Sequence, residues 1–229
     1  MKLDNVYIYD VNKAYLARLA EGFYPITDKE LGRGYVEEDM IGYRVIGSSI
    51  CGLCDEGEWA DVRFPKGYCQ KVADFAVKKG KEMEKMKKKG QIYELAEMKL
   101  AINAMIGICR NHNVWFWEYI VDGCNKFMEN LINEDTIFCN TDSIFSLTKR
   151  EDLEIGTALG QFKVEYDGVG VFYNGCNYVL YDKDGKYLDM VQMGKVKEEQ
   201  DPEAFVNDTV SQKVAKYSLK TTEKGVYIV

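Results

Sequence analysis

Thr136-Ile-Phe-Cys-Asn-Thr-Asp-Ser-Ile-Phe-Ser-Leu147 sets two apolar, β-prone arms on either side of the polar centre Asn140-Thr141-Asp142-Ser143. Alternating arms around a short polar turn read as a β-hairpin that presents a carboxylate at its tip. Upstream, Ile120, Cys124, Phe127 and Leu131 recur at helical spacing, which predicts a helix lying on a sheet. Before it, the stretch from Gly67 to Cys109 has no proline, is rich in Lys, Glu, Met, Ala and Leu, and carries Gly90 in its middle. Two helices meeting near Gly90 fit that composition. At the start of the chain, Val6-Tyr-Ile-Tyr-Asp10 is a short strand ending at a carboxylate, and Asn12 to Leu19 turns helix-compatible. The region Gly34 to Arg63 reads as a β-rich connection with a strand candidate at Tyr43–Ile50. Beyond the hairpin, strands are expected at Gly170–Asp182 and Lys186–Val191, joined by the turn Asp182-Lys-Asp-Gly185.

Composition narrows the class. The chain has 229 residues, 46% of them hydrophobic, and only three prolines, enough for one sizeable core or two small packed units. No apolar run approaches the roughly 20 residues needed to cross a bilayer, and the first residues lack the apolar core of a signal peptide. Seven cysteines without framework spacing read as reduced thiols in a cytoplasm. A Cys3His zinc site from Cys51, Cys54, Cys109 and His112 has weak spacing, and free core cysteines are the better reading. With one histidine, a Ser-His or Cys-His nucleophilic centre is poorly supplied. The net charge of −7 runs against the basic footprint of most nucleic-acid binders. Seven lysines nevertheless concentrate between Lys78 and Lys89, and a local field attracts phosphate even when the total is negative.

Three features combine. Asp10 at a strand end and Asp142 in a turn each read alone as a cap or turn former, and Lys99 with Asn103 as a solvated helix pair. In order along the chain they are similar to the motifs of family B DNA polymerases, in the protein-primed phage branch. Tyr9-Asp10-Val11-Asn12-Lys13-Ala14-Tyr15 resembles D-x-x-S-L-Y-P, keeping the aspartate and the tyrosine. Lys99-Leu-Ala-Ile-Asn103-Ala-Met-Ile-Gly107 resembles K-L-x-x-N-S-x-Y-G, and Cys139-Asn140-Thr141-Asp142-Ser143 resembles Y-x-D-T-D-S. Leu159-Gly160 to Glu165, followed by Gly175-Cys-Asn-Tyr178, resembles the region after the third motif.

The resemblance implies an α+β fold: an antiparallel palm sheet backed by helices, a two-helix fingers insertion and a reduced thumb. The implied boundaries are palm over 1–66 and 109–195, fingers over 67–108, and a thumb or C-terminal extension over 196–229. It implies a DNA-directed DNA polymerase that adds dNTPs to a 3′-hydroxyl with two Mg²⁺ ions, Mn²⁺ being an alternative. Such ions stabilise both the attacking and the leaving oxygens of an in-line displacement, and carboxylates on two separate strands suit them because magnesium takes hard oxygen ligands. Asp10 and Asp142 are the implied catalytic ligands, with the Val11 carbonyl as accessory. Lys99, assisted by Lys87, would meet the nucleotide phosphates as a point charge. Tyr15 would exclude a 2′-hydroxyl, Asn103 and Gly107 would shape the wall at the nascent base pair, and Thr141, Ser143, Tyr178, Lys88 and Lys89 would touch primer or template DNA.

Three positions depart from the pattern. Asn140 stands where the motif has its first aspartate, which removes one negative charge and is expected to weaken metal binding; returning an aspartate there is expected to lower the Mg²⁺ requirement. Ile106 replaces an aromatic, and Cys176 a lysine. The first motif begins at residue 10, so no 3′–5′ exonuclease domain is expected before it. Expected partners are primer-template DNA and, for a split enzyme, a terminal protein or a separate exonuclease or thumb subunit, in the cytoplasm of a bacterial host of a phage or prophage. The rival readings are a catalytically weak, polymerase-derived subunit that binds a DNA end or terminal protein, and a palm polymerase with a different template or sugar preference.

Overall fold

The computed structural model describes residues 1–193, 195, 200–211, 219–222 and 225–228, with side chains as far as residue 207. The fold is mixed α and β with antiparallel sheets, and it divides into two compact units. Unit 1 comprises Met1–Val11, Met128–Thr157 and Gln161–Val229; unit 2 comprises Asn12–Phe127 and Ala158–Gly160.

Unit 1 is built on a six-stranded sheet. Its strands are β1 (Lys2–Val11), β8 (Thr136–Asn140), β9 (Ser143–Ser146), β10 (Phe162–Asn174), β11 (Asn177–Tyr181) and β12 (Tyr187–Gln192), in the order β12-β11-β10-β1-β9-β8. The first strand of the chain is therefore interior to the sheet, between two strands that lie more than 130 residues downstream. The alternating residues Val6 and Ile8 feed one apolar face, where they join Phe138, Phe145, Tyr166, Phe172 and Leu180. Edge-on and tilted ring pairs, Phe138–Phe145 at 6.0 Å, Phe138–Phe172 at 5.7 Å and Phe145–Phe172 at 6.0 Å, link β8, β9 and β10 on this face. Such pairs add about 0.5–1.5 kcal/mol each to their burial. A β-bulge interrupts the β1–β10 ladder: Ile8 pairs with Tyr166 and Tyr9 with Val164, which leaves Glu165 as the extra residue.

Unit 2 holds α1 (Ala14–Ala20), β2 (Phe23–Pro25), β3 (Gly34–Tyr35), β4 (Met40–Ile46), β5 (Ser49–Cys54), β6 (Trp59–Ala60), β7 (Val62–Tyr68), α2 (Gln70–Lys88), α3 (Ile92–His112) and most of α4 (Val114–Glu129). The strands form a β2-β7-β4-β5 sheet and a small β3-β6 pair. Leu16, Leu19, Tyr43, Phe64, Ala76, Met83, Ile102, Ile106, Tyr119 and Ile120 make its core. The α2–α3 corner follows from Gly90, which sits at φ +69°, a left-handed conformation that glycine adopts without strain. There the amide of Gly90 donates to Lys87 O at 3.1 Å and that of Gln91 to Met86 O at 3.0 Å, the paired bonds that satisfy the last carbonyls of a helix. Lys85, Lys87 and Lys88 fill the last turn of α2, where cations complement the helix dipole.

Two expected single strands each contain a turn. Tyr43–Ile50 crosses from β4 to β5 through Gly47-Ser48, and Gly170–Asp182 crosses from β10 to β11 through Gly175-Cys176. Apolar runs broken by only two small or polar residues do not announce a reversal. The C-terminal region contributes α5 (Pro202–Ser211) and a hairpin of β13 (Leu219–Thr222) and β14 (Gly225–Ile228). Of the small thumb expected over 196–229, residues 200–211, 219–222 and 225–228 are described and the rest lie outside the described residues. No helix is long and apolar enough to cross a membrane among the described residues.

Candidate active site

One transverse row of side chains crosses the end of the unit 1 sheet. Asp10 is the cross-strand partner of Ser143 on β9 and of Lys163 on β10, and Ser143 is in turn the partner of Asn140 on β8. Directly opposed residues in antiparallel pairs have Cβ atoms roughly 4.5–5.5 Å apart, so these four share one face by register. Ser143 Oγ donates to Asp10 Oδ1 at 3.0 Å, and the Lys163 ammonium lies 2.7 Å from Asp10 Oδ2. The same ammonium bonds Glu165, the bulged residue. Bulges re-aim side chains beside sites of this kind.

Asp142 comes to the row from the two-residue turn between β8 and β9. Its carbonyl accepts the Val11 amide at 2.8 Å, which ties the hairpin tip to the end of β1. Thr141 holds this turn at φ +25°, a region that costs a β-branched residue about 1–3 kcal/mol and occurs mostly where the surroundings enforce it. Burial pushes the Asp142 carboxyl above its usual range, and the Asp10 and Glu165 charges add to that effect. For Lys163 burial works to lower the pKa, but hydrogen bonds and charge from Asp10 and Glu165 outweigh it and the net shift is upward. The site is thus a concentration of carboxylates with one ammonium among them. Beneath it, Tyr9 is buried and its hydroxyl accepts the Arg150 amide at 2.9 Å, which anchors β1 at the residue next to Asp10.

Asn140 has a specific task. Its Nδ2 donates to Gly175 O at 2.6 Å, so the end of β8 is tied to the β10–β11 turn. A carboxylate has no hydrogen to give at that point. Tyr178, on β11 just past that turn, packs its ring against Phe145 and Phe172, both centroids at 5.4 Å. Burial, with Asp189 and Glu165 nearby, pushes its hydroxyl up to about 12. Cys176 is exposed in the turn itself.

The remaining expected residues belong to unit 2. Lys99, Asn103 and Gly107 fall at intervals of four on α3 and are all exposed, a single face by helical geometry. No contact within 4 Å would meet a Cβ added at Gly107. Ile106, the position lacking its aromatic, is a core residue at 4% exposure. Lys87, Lys88 and Lys89 are exposed at the α2 terminus, and Tyr15 is half-buried against the unit 2 core. Among Cys51, Cys54, Cys109 and His112, only Cys54 is buried, with its thiol on Trp59 O at 3.7 Å.

Asp10, Val11, Thr141, Asp142 and Ser143 are therefore brought together, whereas Lys163 and Glu165 are members of the site that the sequence reading missed. The signal lay in the run Leu159 to Glu165, of which only the end residues were weighed. Ser143, expected on DNA, donates its hydroxyl hydrogen to Asp10. Among the described residues no three His, Cys, Asp or Glu side chains form a ready-made metal cage. An aspartate pair fits Mg²⁺, which binds through one or two carboxylates and completes its shell with waters and phosphate oxygens.

No family model matches the chain, and no curated protein matches it. Solved structures do. A phi29 DNA polymerase complexed with primer-template DNA and incoming nucleotide aligns with a TM-score of 0.62 at 13% identity. Its binary complex with primer-template DNA aligns at 0.60 and 14%, and its complex with single-stranded DNA at 0.57 and 13%. In each case the alignment covers 100% of this chain and 57% of the other. At these identities the likeness is one of fold, and the chain spans a little more than half of the longer chain's length.

Proposed function

We propose that this chain carries the polymerising core of a DNA polymerase and extends a primer 3′-hydroxyl on a DNA template by two-metal nucleotidyl transfer. The observation that supports this most directly is the convergence of Asp10, near the end of β1, and Asp142, in the β8–β9 turn, on one end of a polymerase-like sheet. The phi29 polymerase complexes with primer-template DNA and with incoming nucleotide support primer-template DNA and dNTPs as ligands. In this reading 1–66 and 109–195 form the palm, 67–108 the fingers, and 196–229 a reduced thumb.

Asp10, Asp142 and the Val11 carbonyl would hold Mg²⁺ or Mn²⁺. When bound, the ions supply charge stabilisation for both oxygens of the displacement. Ser143 fixes the Asp10 carboxylate by its hydrogen bond, so that a ligand oxygen is preset before substrate arrives. Lys99 offers its ammonium to the triphosphate from the exposed face of α3, with Asn103 and Gly107 on the same face toward the nascent pair. Lys87, Lys88 and Lys89 add positive charge for phosphates despite the net −7. Tyr15 bears on the sugar, and Tyr178, held by two rings, supports the primer end.

Primer extension with Mg²⁺ and with Mn²⁺ tests the reading. Wild type should incorporate dNTPs, and Asp10→Asn and Asp142→Asn should each lose incorporation by at least about 10³-fold while still unfolding in a cooperative thermal transition. Incorporation by either variant at the wild-type rate, with metal saturating, would sink the assignment.

A further inference from the structure

Lys163 occupies a peculiar position. It stands directly across the ladder from Asp10, its ammonium is 2.7 Å from Oδ2, and it also bonds Glu165, which the bulge swings to the same side. Both members of the Asp10 pair are well covered, with side-chain exposures of 16% for Asp10 and 32% for Lys163. Asp10 Oδ1 is already taken by Ser143. Ser143 and Lys163 are both donors of this unit, and the Asp10 Oδ2 lone pairs face a cation belonging to the chain itself. A hard divalent ion needs those lone pairs, and an ammonium at hydrogen-bond distance from the same oxygen both blocks them and repels the ion.

We propose that Lys163 is a built-in counter-ion: it holds the carboxylate row in place before metal binds and must leave Asp10 for Glu165 when a divalent ion arrives. The chain would thereby set its own metal affinity, lower than the carboxylates alone would give. The proposal rests on the metal-site reading above. A cross-strand pair that only stabilises the sheet is the competing explanation, and it has no bearing on metal.

Direct Mn²⁺ binding separates the two, measured on the whole chain by the electron paramagnetic resonance of free Mn²⁺, with no DNA or nucleotide. Lys163→Gln should bind Mn²⁺ roughly tenfold more tightly than wild type, the factor expected from removing one close competing charge pair. Lys163→Met should do the same, whereas Lys163→Arg, which keeps a cation opposite Asp10, should bind no more tightly than wild type. In EDTA, Lys163→Gln should melt below wild type, and saturating Mn²⁺ should narrow that gap. Affinity of the Gln and Met variants equal to or weaker than wild type overturns the counter-ion role, as does tightening by Arg. Absence of Mn²⁺ binding in all these proteins, or binding unaltered by Asp10→Asn, overturns the metal site itself and this inference with it.

Discussion

Asn140→Asp restores the acidic residue that the motif resemblance asks for, yet the structure predicts that it destabilises the protein. The Asn140 amide donates to Gly175 O at 2.6 Å. A carboxylate there loses the bond and turns two acceptor oxygens toward each other in a half-buried site. Losing the bond costs about 1 kcal/mol, and leaving mismatched polar groups brings the total to roughly 2–3 kcal/mol. For a chain of 229 residues that amounts to a melting temperature lower by about 4–12 °C. Asn140→Ala serves as the comparison, since it removes the donor without adding charge and should cost about 1 kcal/mol. Acid should rescue the aspartate variant, because a protonated carboxyl regains a hydrogen to donate; its deficit should shrink below about pH 4, where aspartate titrates. Thermal melts in EDTA between pH 3.5 and 7.5 read all three proteins. An aspartate variant as stable as wild type at pH 7 would refute the role assigned to this bond. If Mn²⁺ then stabilises the variant more than wild type, the added charge reaches the metal and the expected gain in affinity coexists with the folding cost.

Other outcomes follow from the same geometry. Gly107→Ala should raise stability by about 0.5–1 kcal/mol, since nothing in the structure meets the added Cβ and alanine is the better helix former; if α3 lies along the nascent pair, the same change should raise the KM for dNTP, and an unchanged KM removes Gly107 from the site. The raised Asp142 pKa means that the metal-free folded state holds its proton more firmly than the unfolded chain does. Stability from this group is full below the usual aspartate range and is lost as pH rises through the folded value. Asp142→Asn should therefore stabilise the metal-free protein at pH 7 and have little effect near pH 3.5, and an opposite slope in paired melts would contradict the burial argument.

Local signals carried much of the architecture. The alternating arms of 136–147 gave β8, β9 and the acidic turn, and helix-forming composition around Gly90 gave α2, α3 and their corner, because hairpin turns and helix caps are chosen by residues close in sequence. The start of β10 at Phe162 and the reversal at Gly175-Cys176 were not legible: Gly168 and Gly170 dilute the strand pattern, and the turn lacks an Asn-Gly or Asp-Gly pair. For the site, Asp10 and Asp142 were legible as carboxylates at element ends. Lys163 was not, since its meaning depends on which β10 residue opposes Asp10, and that register is fixed by the bulge at Glu165 and by a ring cluster spread over Phe138, Phe145 and Phe172. Asn140 looked like a lost ligand because nothing in its own neighbourhood announces a bond to a carbonyl 35 residues away.

Strand β1 sits between β9 and β10, so the ribosome delivers one half of this ladder long before the other. Val6, Tyr7 and Ile8 leave the exit tunnel early, but their partners Ser146, Phe145, Tyr166 and Gly168 are made some 140–160 residues later, roughly 7–30 s at bacterial to eukaryotic elongation rates. In that interval the whole contiguous stretch Asn12–Phe127 of unit 2 is available to fold on mostly local pairings, which are the fast ones. The apolar first strand meanwhile waits with both its edges open, a state that invites pairing with other nascent chains. Truncations that stop before residue 143 should accordingly yield a folded unit 2 trailing a sticky N-terminal segment, and the carboxylate row should be among the last features of the protein to come into being.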